Sequence, residues 1–65
     1  MNLVLINKNN LIRYEDKNLD IRISMKKIKY KIENNIYFLF DFFVNPNVRG
    51  IGYGNYLLSN ITNFN

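Results

Sequence analysis

The sequence predicts an α+β fold: a small antiparallel β-sheet of three to four strands, a glycine loop, and one C-terminal α-helix. Three observations carry this. Alternating and continuous apolar runs fill the first two-thirds of the chain. Pro46 and then three glycines within five positions, Gly50, Gly52 and Gly54, interrupt that pattern. After them, Tyr53, Tyr56, Leu57, Ile61 and Phe64 recur at spacings of three and four, as the buried stripe of a helix does. With 65 residues and 7.8 kDa, a single domain over residues 1–65 is the ceiling, and surface scaling to about 4,400 Å² of exposed area leaves a thin core.

The elements follow in order. Met1 to Ile6 is an apolar run that breaks into Asn7-Lys8-Asn9-Asn10, giving a strand at 2–6 and a turn. Asparagine supplies 13 of the 65 residues, while Ala and Gln are absent. Single asparagines therefore say little, but the clusters at Asn7 to Asn10, Asn34-Asn35 and Asn45 to Asn47 mark turns. A second strand is placed at 11–14. Ile21, Ile23 and Met25 then share one face, whereas Ile28, Tyr30 and Ile32 share a face in the opposite register. A period-2 strand cannot do both without an inserted residue or a turn, so strands at 20–25 and 27–32 are separated by a short turn or bulge at Lys26-Lys27. Glu33-Asn34-Asn35 reads as a hairpin turn.

Ile36 to Val44 is apolar or aromatic at eight of nine positions, Asp41 being the exception. Such a run reads as a central strand covered on both faces. Pro46 has no N–H and ends the ladder. The loop takes 45–52 and the helix 53–62.

Composition removes much chemistry. Without Cys or His there is no thiolate nucleophile, imidazole base or usual zinc ligand set. Five carboxylates, nine cations and five tyrosines remain. No stretch approaches the eighteen apolar residues of a membrane span, and the N-terminal run lacks a basic n-region and a cleavage site, so the expected address is cytoplasmic. Glu15, Asp16 and Asp20 lack a calcium-loop frame and read as a polar turn. Arg22, Lys26, Lys27, Lys29 and Lys31 form a basic run that reads as a solvated strand face or, given a net charge of +4, as a surface for nucleic acid.

The strand, glycine loop and helix start have the physical logic of an anion site: the first N–H groups of a helix lack internal partners, and glycines let an oxygen-rich ligand approach them. Arg49 adds a planar cationic fork at the mouth. The segment Val44-Asn45-Pro46-Asn47-Val48-Arg49-Gly50-Ile51-Gly52-Tyr53-Gly54, followed by Tyr56-Leu57-Leu58, resembles the acyl-coenzyme A segment of the GCN5-related N-acetyltransferase superfamily. That pattern is Arg or Gln, two residues, Gly, one residue, then Gly or Ala, and Arg49, Gly52 and Gly54 match it.

The resemblance implies acetyl-coenzyme A as cofactor and an amine-bearing small molecule or protein as acceptor. It implies that backbone amides from Arg49 through Gly54, with Val48, Ile51 and Tyr53 in the same turn, cradle the pyrophosphate. Main-chain groups of Phe42 to Val44 would meet the pantetheine arm. Asp41, three residues before Val44, becomes the candidate base if burial raises its pKa; the plainer account is that it faces solvent or pairs with one of Lys26 to Lys31. Tyr30, Tyr37, Tyr53 and Tyr56 are candidate proton donors to the thiolate. In the family another strand and helix follow, and the chain stops before them. That implies an exposed aromatic edge on Ile36 to Val44, an aggregation liability unless a partner or a second copy covers it. A small basic interaction protein, or a non-catalytic relative, is the alternative to an enzyme.

Overall fold

The computed structural model describes residues 2–31 and 34–64, with side chains described outside 29–35. Four strands, β1 (Val4–Lys8), β2 (Leu11–Asp16), β3 (Ile21–Lys31) and β4 (Asn34–Val44), form one antiparallel sheet in the order β1-β2-β3-β4. A short 3-10 turn over Pro46–Val48 leads to α1 (Tyr53–Thr62). The fold is therefore α+β, a meander followed by one C-terminal helix.

Local chemistry sets the turns. Lys8 pairs with Leu11, leaving Asn9 and Asn10 as a two-residue hairpin turn with φ of 51° and 65°. Asparagine tolerates this left-handed region, which right-twisted hairpins require. Between β2 and β3, the carboxylate of Asp16 organises the loop. Its Oδ1 accepts the N–H groups of Asn18 and Leu19 at 2.9 and 3.1 Å, and its Oδ2 accepts that of Asn2 at 2.9 Å. Asp16 is buried, and these bonds, Leu19's first and Asn2's second, hold its pKa below the usual carboxylate value. At the same end of the sheet, where the Asn45 N–H donates to the Asp20 carbonyl at 3.1 Å, Asn45 caps the 3-10 turn by accepting from the N–H of Asn47 at 2.9 Å, with Pro46 in the first turn.

The core lies on one face of the sheet. Ile12, Ile21, Ile23 and Met25 from β2 and β3 meet Leu57 and Ile61 of α1, with Tyr53, Val44, Val48 and Phe64 packed around them. Tyr53, Leu57, Ile61 and Phe64 follow the predicted stripe. Tyr56 does not: it lies to one side of that stripe and is 46% exposed.

Three expectations are corrected. The predicted strands 20–25 and 27–32 are one strand, β3, with no turn at Lys26-Lys27. The phase change has another cause: β2 pairs with β3 only up to Leu11 opposite Lys26, so beyond that point no core dictates which face is apolar. The register shifts fall elsewhere, at Tyr30 between Lys29 and Lys31, and opposite Ile23, where β4 has an extra residue. The run at 36–44 is not a central strand: β4 is the sheet's edge, and Ile36 through Phe40 are each at least 40% exposed. Of the turn predicted at Glu33-Asn34-Asn35, residue 33 lies outside the described residues, and Asn34 and Asn35 already belong to β4.

The β3–β4 hairpin thus runs past β1, β2 and the helix. The molecule measures 43 × 19 × 17 Å, and its surface of 4864 Å² exceeds the compact expectation accordingly.

Candidate functional site

The C-terminal end of β4, the glycine loop and the start of α1 enclose an open cleft of about 380 Å³. Phe42 and Val44 form the strand wall, Arg49, Gly50 and Gly52 the loop, and Tyr53, Gly54, Asn55 and Leu58 the helix wall. Gly52, the N-cap of α1, has φ 100°, and Gly50 has φ 82°. These left-handed conformations favour glycine and turn the chain sharply from the 3-10 turn into the helix. Gly54 serves a different need: a Cβ there would stand in ordinary contact, 3.7 Å from the Phe42 ring and 3.9 Å from a Val44 methyl, so a longer side chain at this position would enter the cleft.

The N-terminus of α1 has no side-chain cap. Among the described residues, no acceptor takes the N–H groups of Gly52, Tyr53, Gly54 or Asn55; the first helical bond there runs from Tyr56 N–H to the Gly52 carbonyl at 3.0 Å. No acidic side chain sits in the first turn. Four unpaired donors at the positive end of a helix, beside a cavity, are suited to an anion. The Arg49 N–H is already used, donating to the Pro46 carbonyl at 3.5 Å. Its guanidinium Nε donates to the Val44 carbonyl at 2.7 Å, tying the loop to the strand end.

Of the predicted cofactor residues, the structure brings together Phe42, Val44, Arg49, Gly50, Gly52, Tyr53 and Gly54. Val48 packs against the core, and Ile51 points outward, 68% exposed. Asn55 and Leu58 join the cleft without having been singled out in the sequence. Leu58 lies one helical turn beyond Gly54, which was the available signal.

Asp41 is corrected most. It occupies the extra position of β4, with φ 53°, and its carboxylate lies away from the cleft. Arg22 Nε donates to its Oδ1 at 2.9 Å, and Arg13 Nη2 to its Oδ2 at 2.6 Å. The Arg22 hydrogen bond, with the charges of Arg22 and Arg13, holds the carboxyl below its ordinary pKa despite the opposing effect of burial. The expected raised pKa of a poised base is thus reversed, and the partners are arginines rather than Lys26 to Lys31.

The basic run does not form one face. Arg22 also pairs with Asp20 at 3.4 Å and stacks over Phe43 at 4.6 Å. Lys26 stands opposite Phe38, and Lys27 stands opposite Tyr37 on the other face; the side chains of Lys29 and Lys31 lie outside the described residues, as does that of Tyr30. Of the other tyrosines considered, Tyr53 lines the cleft, whereas Tyr37 and Tyr56 are exposed.

No family model, curated protein or solved structure matches the chain. Among the described residues, no helix is long and apolar enough to cross a membrane.

Proposed function

We propose that the chain is an acyl-coenzyme A binding protein of the N-acetyltransferase type, with the glycine loop as its pyrophosphate site. The observation that supports this most is the uncapped start of α1, whose unpaired amides from Gly52 to Asn55 border the cleft at the end of β4. A diphosphate needs several donors and a surface without protruding Cβ atoms; the unpaired amides of Gly52 to Asn55 and the glycines at 50, 52 and 54 support that reading. On this reading the extended arm of such a ligand would run along the strand wall formed by Phe42 and Val44. Bound acetyl-coenzyme A would bring an activated thioester; the chain's own part is to hold the phosphates and orient the arm. Asp41 is given no part in proton transfer, because its carboxylate is engaged by two guanidinium groups away from the cleft.

Calorimetry on the folded chain is the test. Acetyl-coenzyme A should bind saturably, and free coenzyme A should compete. Gly54→Leu should weaken binding about tenfold or more by filling the cleft beside Phe42, without lowering the melting temperature, since Gly54 has no left-handed φ to protect. A folded chain that takes up neither ligand would overturn the proposal.

A further inference from the structure

We propose that Asp41, Arg13 and Arg22 form a clasp holding the bulge of β4, and that this bulge builds the strand wall of the cleft, so that all three act as positioning residues. The use assigned to the cleft rests on the reading above; the clasp itself does not.

The register between β3 and β4 sets which way these side chains point. Phe40 stands opposite Ser24 and Phe43 opposite Arg22, so Ile23 faces both Asp41 and Phe42. Plain alternation from Phe40, on the face away from the helix, would send Asp41 towards α1 and Phe42 away from it. The inserted residue reverses this phase. Asp41 joins Arg13 and Arg22 on the helix-free face, and Phe42 and Val44 turn to the helix face, where they approach Gly54. Without the bulge, Phe42 and Val44 would leave the strand wall of the cleft, and Asp41 and Phe43 would take that face.

Something must hold that irregularity, because a residue with a side chain at φ 53° is unfavourable in a strand. The structure supplies restraints from both inner strands. Arg13 from β2 and Arg22 from β3 each bind one oxygen of Asp41. Arg22 also lies 4.6 Å from the ring of Phe43, two positions after Asp41. The carboxylate and the ring are gripped together, and Phe42 between them is left pointing the other way.

The test reads the ligand-free protein by NMR, so it remains decisive even if coenzyme A does not bind. In the unaltered chain, NOEs should connect the Phe42 ring and Val44 methyls to the Gly54 Hα protons. In the double variant Arg13→Met, Arg22→Met these should weaken by at least half, while NOEs between Ile23 and Leu57 persist. Asp41→Asn retains size and tolerance of the left-handed region but loses the charge; it should show the same loss in smaller measure. Arg22→Lys, which keeps a cation, should recover part of it. If the double variant does not fold, Asp41→Asn answers alone. Undiminished Phe42–Gly54 NOEs in a folded variant lacking the clasp would overturn the proposal. Where coenzyme A binds the unaltered chain, the double variant should lose on the order of tenfold in affinity.

Discussion

At the scale of single residues, Asp16 and Asp41 make stability depend on pH in a defined direction. Both carboxyls have lowered pKa values in the folded chain, so on acidification the unfolded chain takes up protons first. Their stabilisation is complete above the ordinary carboxylate value of about 3.9 and is lost as pH falls through the lower folded-state values. Thermal melts should therefore show a midpoint that is flat, as far as these groups are concerned, from pH 8 to 5 and falls below about pH 4. The fall should be shallower in Asp16→Asn, and a variant with the parental slope would contradict the role given to Asp16. Asn10→Val tests the hairpin turn. A β-branched residue at φ 65° should cost about 1–2 kcal/mol in denaturant unfolding. These roles differ in how legible they are. The Asn9-Asn10 turn is local and is written in adjacent letters. Asp41's partners lie 28 and 19 residues away, and no local pattern announces them.

At the scale of elements, α1 holds the sheet through few contacts. Leu57 and Ile61 are its buried side chains, both nearly inaccessible. Leu57→Ala should cost about 2–5 kcal/mol in unfolding experiments, whereas Tyr56→Ser, at a half-exposed position, should stay within about 0.5 kcal/mol. Equal losses would mean that the helix sits differently. Helix periodicity was readable because a 3.6-residue repeat is set by one buried side, and the glycine loop because Pro46 fixes φ while Gly50 and Gly52 admit the left-handed turns. The strand's own composition misjudged the rank of β4 in the sheet, which only the family resemblance gave as an exposed edge. An apolar run such as Ile36 to Phe40 implies two covered faces only if something is there to cover them, and that depends on neighbours rather than on the strand. The shift of phase at Ile28 misled for a related reason: among the described side chains, Met25 is the last of β3 in the buried core. Cleft residues Phe42 and Val44 were legible from the motif, but the bulge that turns them inward was not.

At the scale of the whole molecule, β4 presents an unpaired edge with Tyr37, Phe38, Leu39 and Phe40 exposed and no charge or proline between Ile36 and Phe40. Such an edge invites pairing with a second chain. We expect concentration-dependent association in size-exclusion chromatography with light scattering. Phe38→Lys, at a position 55% exposed, should shift it towards monomer with little change in melting temperature. Association unaffected by the lysine would place the contact elsewhere.

The length of the β3–β4 ribbon carries a further consequence. Ile21 and Ile23 are sealed beneath the helix, whereas Ile28 and Ile36 face each other, each at least 40% exposed, where β2 no longer reaches. The same ladder therefore passes from sealed to wet along its course. Deuterium should replace the hydrogen-bonded amide protons around Ile28 and Ile36 orders of magnitude sooner than those around Ile23, making the strand pair a graded zip that opens from its far end while the cleft end stays shut.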